Sequence, residues 1–303
     1  MSGHRTEIDR ALAFVAAHLD RPLTLGEVAA VAGLSEHHFH RVFHELVGEP
    51  LGRFITRRRL ELAALRVAYE PHRPIGVIAL ESGYSSLSNF TKAFTAHFGC
   101  SPSAIRGGST TPAVGRLTSA HGKTFSPALL YSLPPSLDPR QRRERARALG
   151  VRHEEMKATP LVCLASPYGY DLAALDETWT TLLAHAATLL RRQGPLDAWG
   201  RAFDSPHLTA PEHQRYHACV AIDPLPAVQP PLFHAQVEPG HYAVFPYDGP
   251  VDGVEERWRT IFSCWVPESV VEPVDFVAID RYTGDAPREG HVTMEMWLRV
   301  APR

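Results

Sequence analysis

Apolar residues in the first hundred positions recur at helical spacing, and the pattern occurs twice. In LTLGEVAAVAGLSEHHFHRVFHELVG, Leu25, Val28, Ala29 and Ala32 form one apolar face, and Thr24 with Glu27 has the spacing of a capping box. Gly33 permits a left-handed turn and Ser35 is placed to cap the next helix, so the spacing predicts two crossed helices. In the second of them Phe39, Val42, Phe43 and Leu46 face the core, leaving Glu36, His37, His40, Arg41 and His44 outside. PIGVIALESGYSSLSNFTKAFTAHFG repeats the plan. Ile75, Val77, Ile78 and Leu80 supply the apolar helix, Gly83 the turn, and Ser85 or Ser86 the cap; Phe90, Ala93, Phe94 and Phe98 form the inward row, with Ser88, Asn89 and Lys92 pointing out.

Gly33, Phe39, Arg41, Phe43 and Gly48 answer Gly83, Phe90, Lys92, Phe94 and Gly99 to within a residue, which makes the repeat far more specific than a lone turn signal. Between the copies, Leu51 to Tyr69 keeps helical periodicity with no Pro. A helix of that length holds the copies about 28 Å apart at about 1.5 Å per residue. Successive major-groove segments on one face of B-DNA lie about 34 Å apart, so both second helices suit adjacent turns of one duplex. Ahead of the repeat, Ile8, Leu12, Val15, Ala16 and Leu19 predict an opening helix that Pro22 ends.

The last 150 residues change period. Met156 to Gly169 reads as a strand; a helix follows with Leu175, Trp179, Leu182, Leu183, Ala186 and Leu190 on one side and Gly194 stopping it. Strands come next near Trp199 to Phe203 and Tyr216 to Ile222, joined by DSPHLTAPEHQR. The order then recurs: strands at Leu232 to Val237 and His241 to Pro246, a helix from Val251 to Trp265, and strands at Phe276 to Tyr282 and Val292 to Val300. Two pseudo-symmetric β-α-β-β halves, each an antiparallel sheet backed by a helix, would pair and leave a ligand-sized groove along their dyad. The fold class expected is therefore an all-α double helix-turn-helix domain (1–106) joined to an α+β domain (151–303). The intervening 107–150 is a Gly, Ser, Thr and Pro-rich linker ending in the basic run RQRRERARALG, which reads as a solvated helix or one lying along phosphate.

Charge sharpens this division. Residues 1–106 carry 12 Lys and Arg against 10 Asp and Glu, residues 107–150 carry 7 against 2, and residues 151–303 carry 12 against 21. An anionic partner suits the front and a cationic one the back, although an acidic surface also simply keeps a domain soluble. Cys100, Cys163, Cys219 and Cys264 are scattered, which points to reduced buried thiols rather than disulfides or zinc. Neither a long apolar run nor a secretion signal is seen, so a cytoplasmic protein without membrane contact is expected.

The front half, including SGYSSLSNFTKAFTAHFGCSPSAIR, resembles the AraC/XylS-type DNA-binding domain over residues 5–106. The resemblance implies a monomeric double-headed reader of promoter DNA, with His37, His40 and Arg41 of the first motif and Leu87, Ser88, Asn89 and Lys92 of the second as its base-reading candidates. Arg41 suits a guanine edge and Asn89 an adenine edge. Arg57, Arg58 and Arg59 are expected on phosphate or as caps of the linker helix. His40 and His44 lie one turn apart, but no carboxylate or Cys at ligand spacing joins them, so no metal is assigned and no cofactor is expected.

The phrases FDSPHLTAPEHQRYHACVAID, PGHYAVFPYDGP, DFVAIDRYTGDAP and TMEMWLRV resemble, in order, the GyrI-like effector-binding domain. The resemblance implies a small, hydrophobic and often cationic effector held by aromatic walls and a buried acid, which on this chain would be Glu295. Asp280 stands where the family often has a second acid, and Trp179, Tyr216, Tyr242, Phe245, Tyr247, Trp258 and Trp297 are wall candidates, each also readable as plain core. A carboxylate between apolar neighbours on a strand either faces solvent or awaits a cation. The reading is thus a ligand-responsive transcription regulator, not an enzyme, with RNA polymerase as a further partner. The alternatives are a GyrI-like hydrolase of strained electrophiles using Glu295 or Asp280, and a protein-interaction module; no G-x-S-x-G elbow or phosphate-binding Gly loop supports other catalysis.

Overall fold

The computed structural model describes residues 3–106, 138–190, 196–205, 208–283 and 290–303, with the backbone alone at 188–190, and also the backbone of 117–118 and 124–125, which form a two-residue antiparallel ladder. Most of the expected linker, Gly194 and the end of the DFVAIDRYTGDAP phrase lie outside these residues. Packing divides the chain into a helical unit, Glu7–Gln141 with Ser205–Ala210, and a sheet unit, Met1–Thr6, Arg142–Asp204 and Pro211–Arg303.

The helical unit contains α1 (Arg5–Ala17), α2 (Leu25–Ala32), α3 (Glu36–Val47), α4 (Leu51–Tyr69), α5 (Ile75–Glu81), α6 (Leu87–Phe98) and α7 (Pro102–Arg106). The capping box forms as the sequence predicts: Thr24 accepts from the Glu27 amide while Glu27 accepts from the Thr24 amide. Ser86 caps α6 through the Asn89 amide, whereas Ser35 occupies the N-cap of α3 without a side-chain cap bond. α1 ends at Ala17, five residues before Pro22, so the proline follows the stop rather than making it.

Each repeat has its own aromatic core on α4. Phe39, Phe43 and Phe54 join Ile8, Val15 and Val28 in one cluster, and Phe90, Phe94 and Phe98 join Leu60, Val67 and Ile78 in the other. Burying each such ring contributes about 1.5–3 kcal/mol. The turn glycines Gly33 and Gly83 both adopt left-handed backbone, at φ 72° and 77°. At Gly83 a Cβ would also fall against the Leu19 carbonyl and the Arg59 guanidinium. In α5 the inward positions are Ile78 and Ala79; Val77 and Leu80, expected inside, are exposed, because this seven-residue helix buries only a narrow stripe.

The sheet unit contains α8 (Pro139–Arg147), β1 (Arg152–Met156), β2 (Thr159–Ala165), α9 (Leu172–Leu190), β3 (Ala198–Ala202), β4 (Tyr216–Ala221), β5 (Phe233–Val237), β6 (Gly240–Pro250), α10 (Val254–Thr260), α11 (Val266–Glu268), β7 (Val271–Tyr282) and β8 (His291–Pro302). A π-helical turn, Ile261–Trp265, links α10 to α11. From Arg142 the expected linker belongs to this unit, since Ala146 and Leu149 are buried and Arg257 donates to the Leu149 carbonyl at 2.9 Å.

One eight-stranded antiparallel sheet runs β1-β6-β8-β7-β3-β4-β2-β5. The two halves read from the sequence are present; the strand before the second, β5, is the one expected at Leu232 to Val237, whereas β1 before the first has no counterpart among the expected strands. β1 pairs with β6 of the second half and β5 pairs with β2 of the first, so each half receives its outer strand from the other. Among the described residues no helix is long and apolar enough to cross a membrane.

Candidate functional site

α3 and α6 present the outward residues that the spacing assigns to them. His37, His40 and Arg41 on α3, and Leu87, Ser88, Asn89 and Lys92 on α6, are all exposed. Arg41 shares a 3.2 Å hydrogen bond with His38 Nδ1, and Asn89 Nδ2 donates to Ser85 Oγ at 3.4 Å. Both contacts leave side chains with further hydrogen-bonding capacity at the surface. Among the described residues no group of three or more His, Cys, Asp or Glu is placed to hold a metal ion.

Arg57 requires a correction. Expected on phosphate or as a cap, it is buried, and its guanidinium bonds Glu49 at 2.7 Å and Glu61 at 2.9 Å. Arg58 is buried against Glu61 at 3.2 Å, and Arg59 donates to the Leu19 carbonyl at 2.8 Å. The physical reason is the density of acids: Glu49 and Glu61, both buried, need these cations more than a solvated surface does.

In the sheet unit the ligand candidates separate by strand alternation onto two faces. Cross-strand pairing sets Phe245, Met296, Asp280, Gly200 and Ala218 in one row over five strands. The row Pro246, Glu295, Arg281, Trp199, Cys219, Cys163 and Phe233 lies on the other face. Glu295 and Asp280 therefore lie on opposite faces of the sheet.

Glu295, the acid that the resemblance favours, has a resident cation: Arg152 donates to it at 2.6 Å, and the Trp297 indole N–H at 3.2 Å. Trp297 and Tyr242 pack with it as core, 5.8 Å apart, with the Tyr242 hydroxyl bonded to the Glu238 carbonyl. Phe245 shares the Asp280 face but is buried against Trp265. These four residues leave the candidate site.

Asp280 is 7% exposed, and no basic side chain pairs with it among the described residues. Trp258 Nε1 donates to it at 3.1 Å. Burial pushes its carboxyl up to about 7, against the smaller opposing pull of that hydrogen bond. Trp258 stacks on Phe262 at 5.6 Å, and Phe262 meets Phe276 at 5.5 Å. Trp179 lies edge-on to Tyr282 at 5.1 Å and donates to the Tyr216 hydroxyl at 3.2 Å, which lies 3.4 Å from that of Tyr282. Burial raises both phenols, so they stay neutral donors beside the acid.

Phe276 holds φ 54°, unusual for a bulky residue, and the π turn carries Phe262. Positive φ and π turns both concentrate at functional sites. Tyr282 was legible by alternation two residues after Asp280, but Phe262 and Phe276 depend on the π turn and the φ value, for which the sequence has no signal. Gly200 makes room for the site: a Cβ there would overlap the Tyr216 hydroxyl. Gly200→Ala is expected to expel that ring, costing about 1–3 kcal/mol of stability. A thermal melt within 0.5 kcal/mol of the parent, on the scale of ordinary surface changes, would contradict this.

Comparison with known proteins places both halves. Residues 28–108 match a helix-turn-helix domain family, and residues 151–301 match the GyrI-like small molecule binding domain. The chain is 26% identical over 299 residues to the transcriptional regulator Rob of Salmonella typhimurium, covering 91% of this chain and 92% of that one. It is 25% identical to the right origin-binding protein of Escherichia coli K12, over 84% of this chain and 83% of the relative. Its front third is 35% identical over 103 residues to the regulatory protein SoxS of the same organism, covering 34% of this chain and 95% of SoxS. Duplicated crossed helices that match SoxS nearly end to end, followed by a two-half sheet of the GyrI-like kind, place the chain in the AraC family of DNA-binding transcriptional regulators, with a GyrI-like small-molecule-binding domain at its back.

Proposed function

We propose that this regulator responds to a hydrophobic cation held at Asp280, and that the exposed faces of α3 and α6 read its promoter. The observation that carries the ligand class is a buried carboxylate with no cationic partner among the described residues, bonded to Trp258 and close to Tyr216 and Tyr282, with Phe262 and Trp179 packed against those rings. An acid in such surroundings gains from a ligand charge what burial withholds, and aromatic faces favour a delocalised cation. Titration of the full chain with tetraphenylphosphonium, followed by tryptophan fluorescence, tests this. Saturable quenching is expected at micromolar probe, while an equally hydrophobic neutral or anionic compound binds at least tenfold more weakly. Equal binding of all three would refute the charge assignment.

For the reader, Arg41→Ala and Asn89→Ala are each expected to weaken an operator selected from random duplexes by about 1–3 kcal/mol, relaxing the preference at one base pair. Lys92→Ala should likewise relax the preference at one base pair and, because a cation is lost near the backbone, also reduce the salt slope by about 1. Anisotropy titrations over a salt series distinguish these outcomes. Affinity that does not respond to salt would remove DNA phosphate from the account.

A further inference from the structure

On the face of the sheet opposite Asp280, the Cys163 and Cys219 thiols meet across β2 and β4, and neither is used by the ligand or DNA readings. Their Sγ atoms are 2.7 Å apart. That is closer than the roughly 3.5–4 Å of ordinary nonbonded contact and about 0.7 Å beyond a disulfide bond length. The two residues are directly opposed in the antiparallel ladder. Directly opposed Cα atoms lie about 4.5–5.5 Å apart, inside the disulfide range of about 4.4–6.8 Å, so the backbone need not move for a bond to form.

From this juxtaposition we infer that Cys163 and Cys219 are an oxidisable pair, which a peroxide converts into an intramolecular cross-strand disulfide. The chemistry balances. One thiolate attacks a peroxide oxygen, breaking the O–O bond to give a sulfenic acid and water; the second thiolate attacks that sulfur, forming S–S and releasing a second water. Two thiols lose two electrons and two protons, and one hydrogen peroxide becomes two waters.

Both thiols are fully buried, so oxidant entry requires local opening. One neighbour of Cys163 is β5, which pairs Phe233 with it and is a five-residue strand at the edge of the sheet. Fraying there is the expected entry route. The bond would close a loop of 56 residues containing α9 with Trp179, β3 with Gly200, and Tyr216 of β4. Oxidation therefore ties together the whole first-half wall of the Asp280 site.

The test uses the full chain, reduced, then treated with millimolar hydrogen peroxide and quenched with catalase. Thiols are alkylated in denaturant and peptides weighed, with a parallel arm in urea just below the unfolding onset to speed strand opening. Two of the four thiols should disappear together, in a peptide pair joining Cys163 to Cys219 that dithiothreitol separates, and the melting temperature should rise by up to roughly 10 °C. Cys100→Ser with Cys264→Ser should retain the cross-link, and Cys219→Ser should abolish it. Four alkylatable thiols in the urea arm would overturn the inference. So would a bond to Cys100 or Cys264, or a Cys163 sulfinic acid beside an unmodified Cys219.

Discussion

Arg57→Ala is expected to lower the stability of the helical unit by about 3–5 kcal/mol at pH 7, the magnitude typical of removing one partner from a buried ionic cluster. Arg57 bridges Glu49, in the turn between α3 and α4, to Glu61 one turn along α4. Without it Glu49 loses this bridging cation while both acids stay buried, and Arg58 still bonds Glu61. For a unit of this size the loss is a fall in melting temperature of roughly 15 °C or more. The double change Arg57→Met with Glu49→Met removes both charges and should recover most of it, since well-packed apolar groups replace buried pairs at little cost. A single variant melting within about 1 kcal/mol of the parent would mean that the cluster is dispensable. Because Glu49 sits at the α3–α4 junction, the variant should also lose promoter affinity at temperatures below its melt, and a binding curve at 10 °C separates that from unfolding.

Asp280→Asn is expected to act in opposite directions on ligand and stability. Cation affinity should fall at least tenfold at pH 8, because the amide offers a dipole where the carboxylate offered a charge. Stability should rise at the same pH. The folded acid titrates near 7 and the unfolded one near 3.8, so folding favours the protonated form. Its contribution is complete below pH 4, is lost as pH rises through 7, and stays lost above. At about 1.4 kcal/mol per pH unit that gap is on the order of 4 kcal/mol. Asparagine never ionises, so the variant should melt higher than the parent at pH 8 and match it near pH 4. By the same linkage, cation binding to the parent should strengthen as pH rises from 6 to 8 and level off beyond. A variant with the parent's melting profile at both pH values would show that Asp280 is solvated and charged, which would remove the basis of the ligand assignment. Glu295→Gln, at an acid already paired with Arg152, should change cation affinity less than twofold, on the scale of a spectator ion pair.

The division of legibility follows from the range of the interactions involved. Helix existence, the capping box, the left-handed turn glycines and the inward phenylalanine rows are set within a few residues of chain, so the local pattern carries them, down to the ends of α4 at Leu51 and Tyr69. Exposure of His40, Arg41, Asn89 and Lys92 follows from the same 3.6-residue period. The basic residues of α4 broke that logic because Arg57 answers an acid eight positions away as well as one four away, and spacing alone does not rank solvent against a distant partner.

For the ligand site, alternation along each strand is readable, and it sets Glu295 and Trp297 on one face of β8 with Met294 and Met296 on the other. Which acid remained unpaired was not readable. Glu295 is neutralised by Arg152 from a strand 143 residues earlier, and β1 reaches it only because the two halves exchange their outer strands. Asp280 looks the weaker candidate in sequence, being the shorter acid. It becomes the proposed site because strand pairing sets it beside Gly200, whose missing side chain admits Tyr216, and because α10 lays Trp258 over it. The sequence by itself determined the two-part organisation, the duplicated reader and the pseudo-symmetric halves, since these rest on periodicities that any short window displays. Only the tertiary structure decided which charges meet, because electrostatic pairing depends on distances across the sheet that chain order does not record.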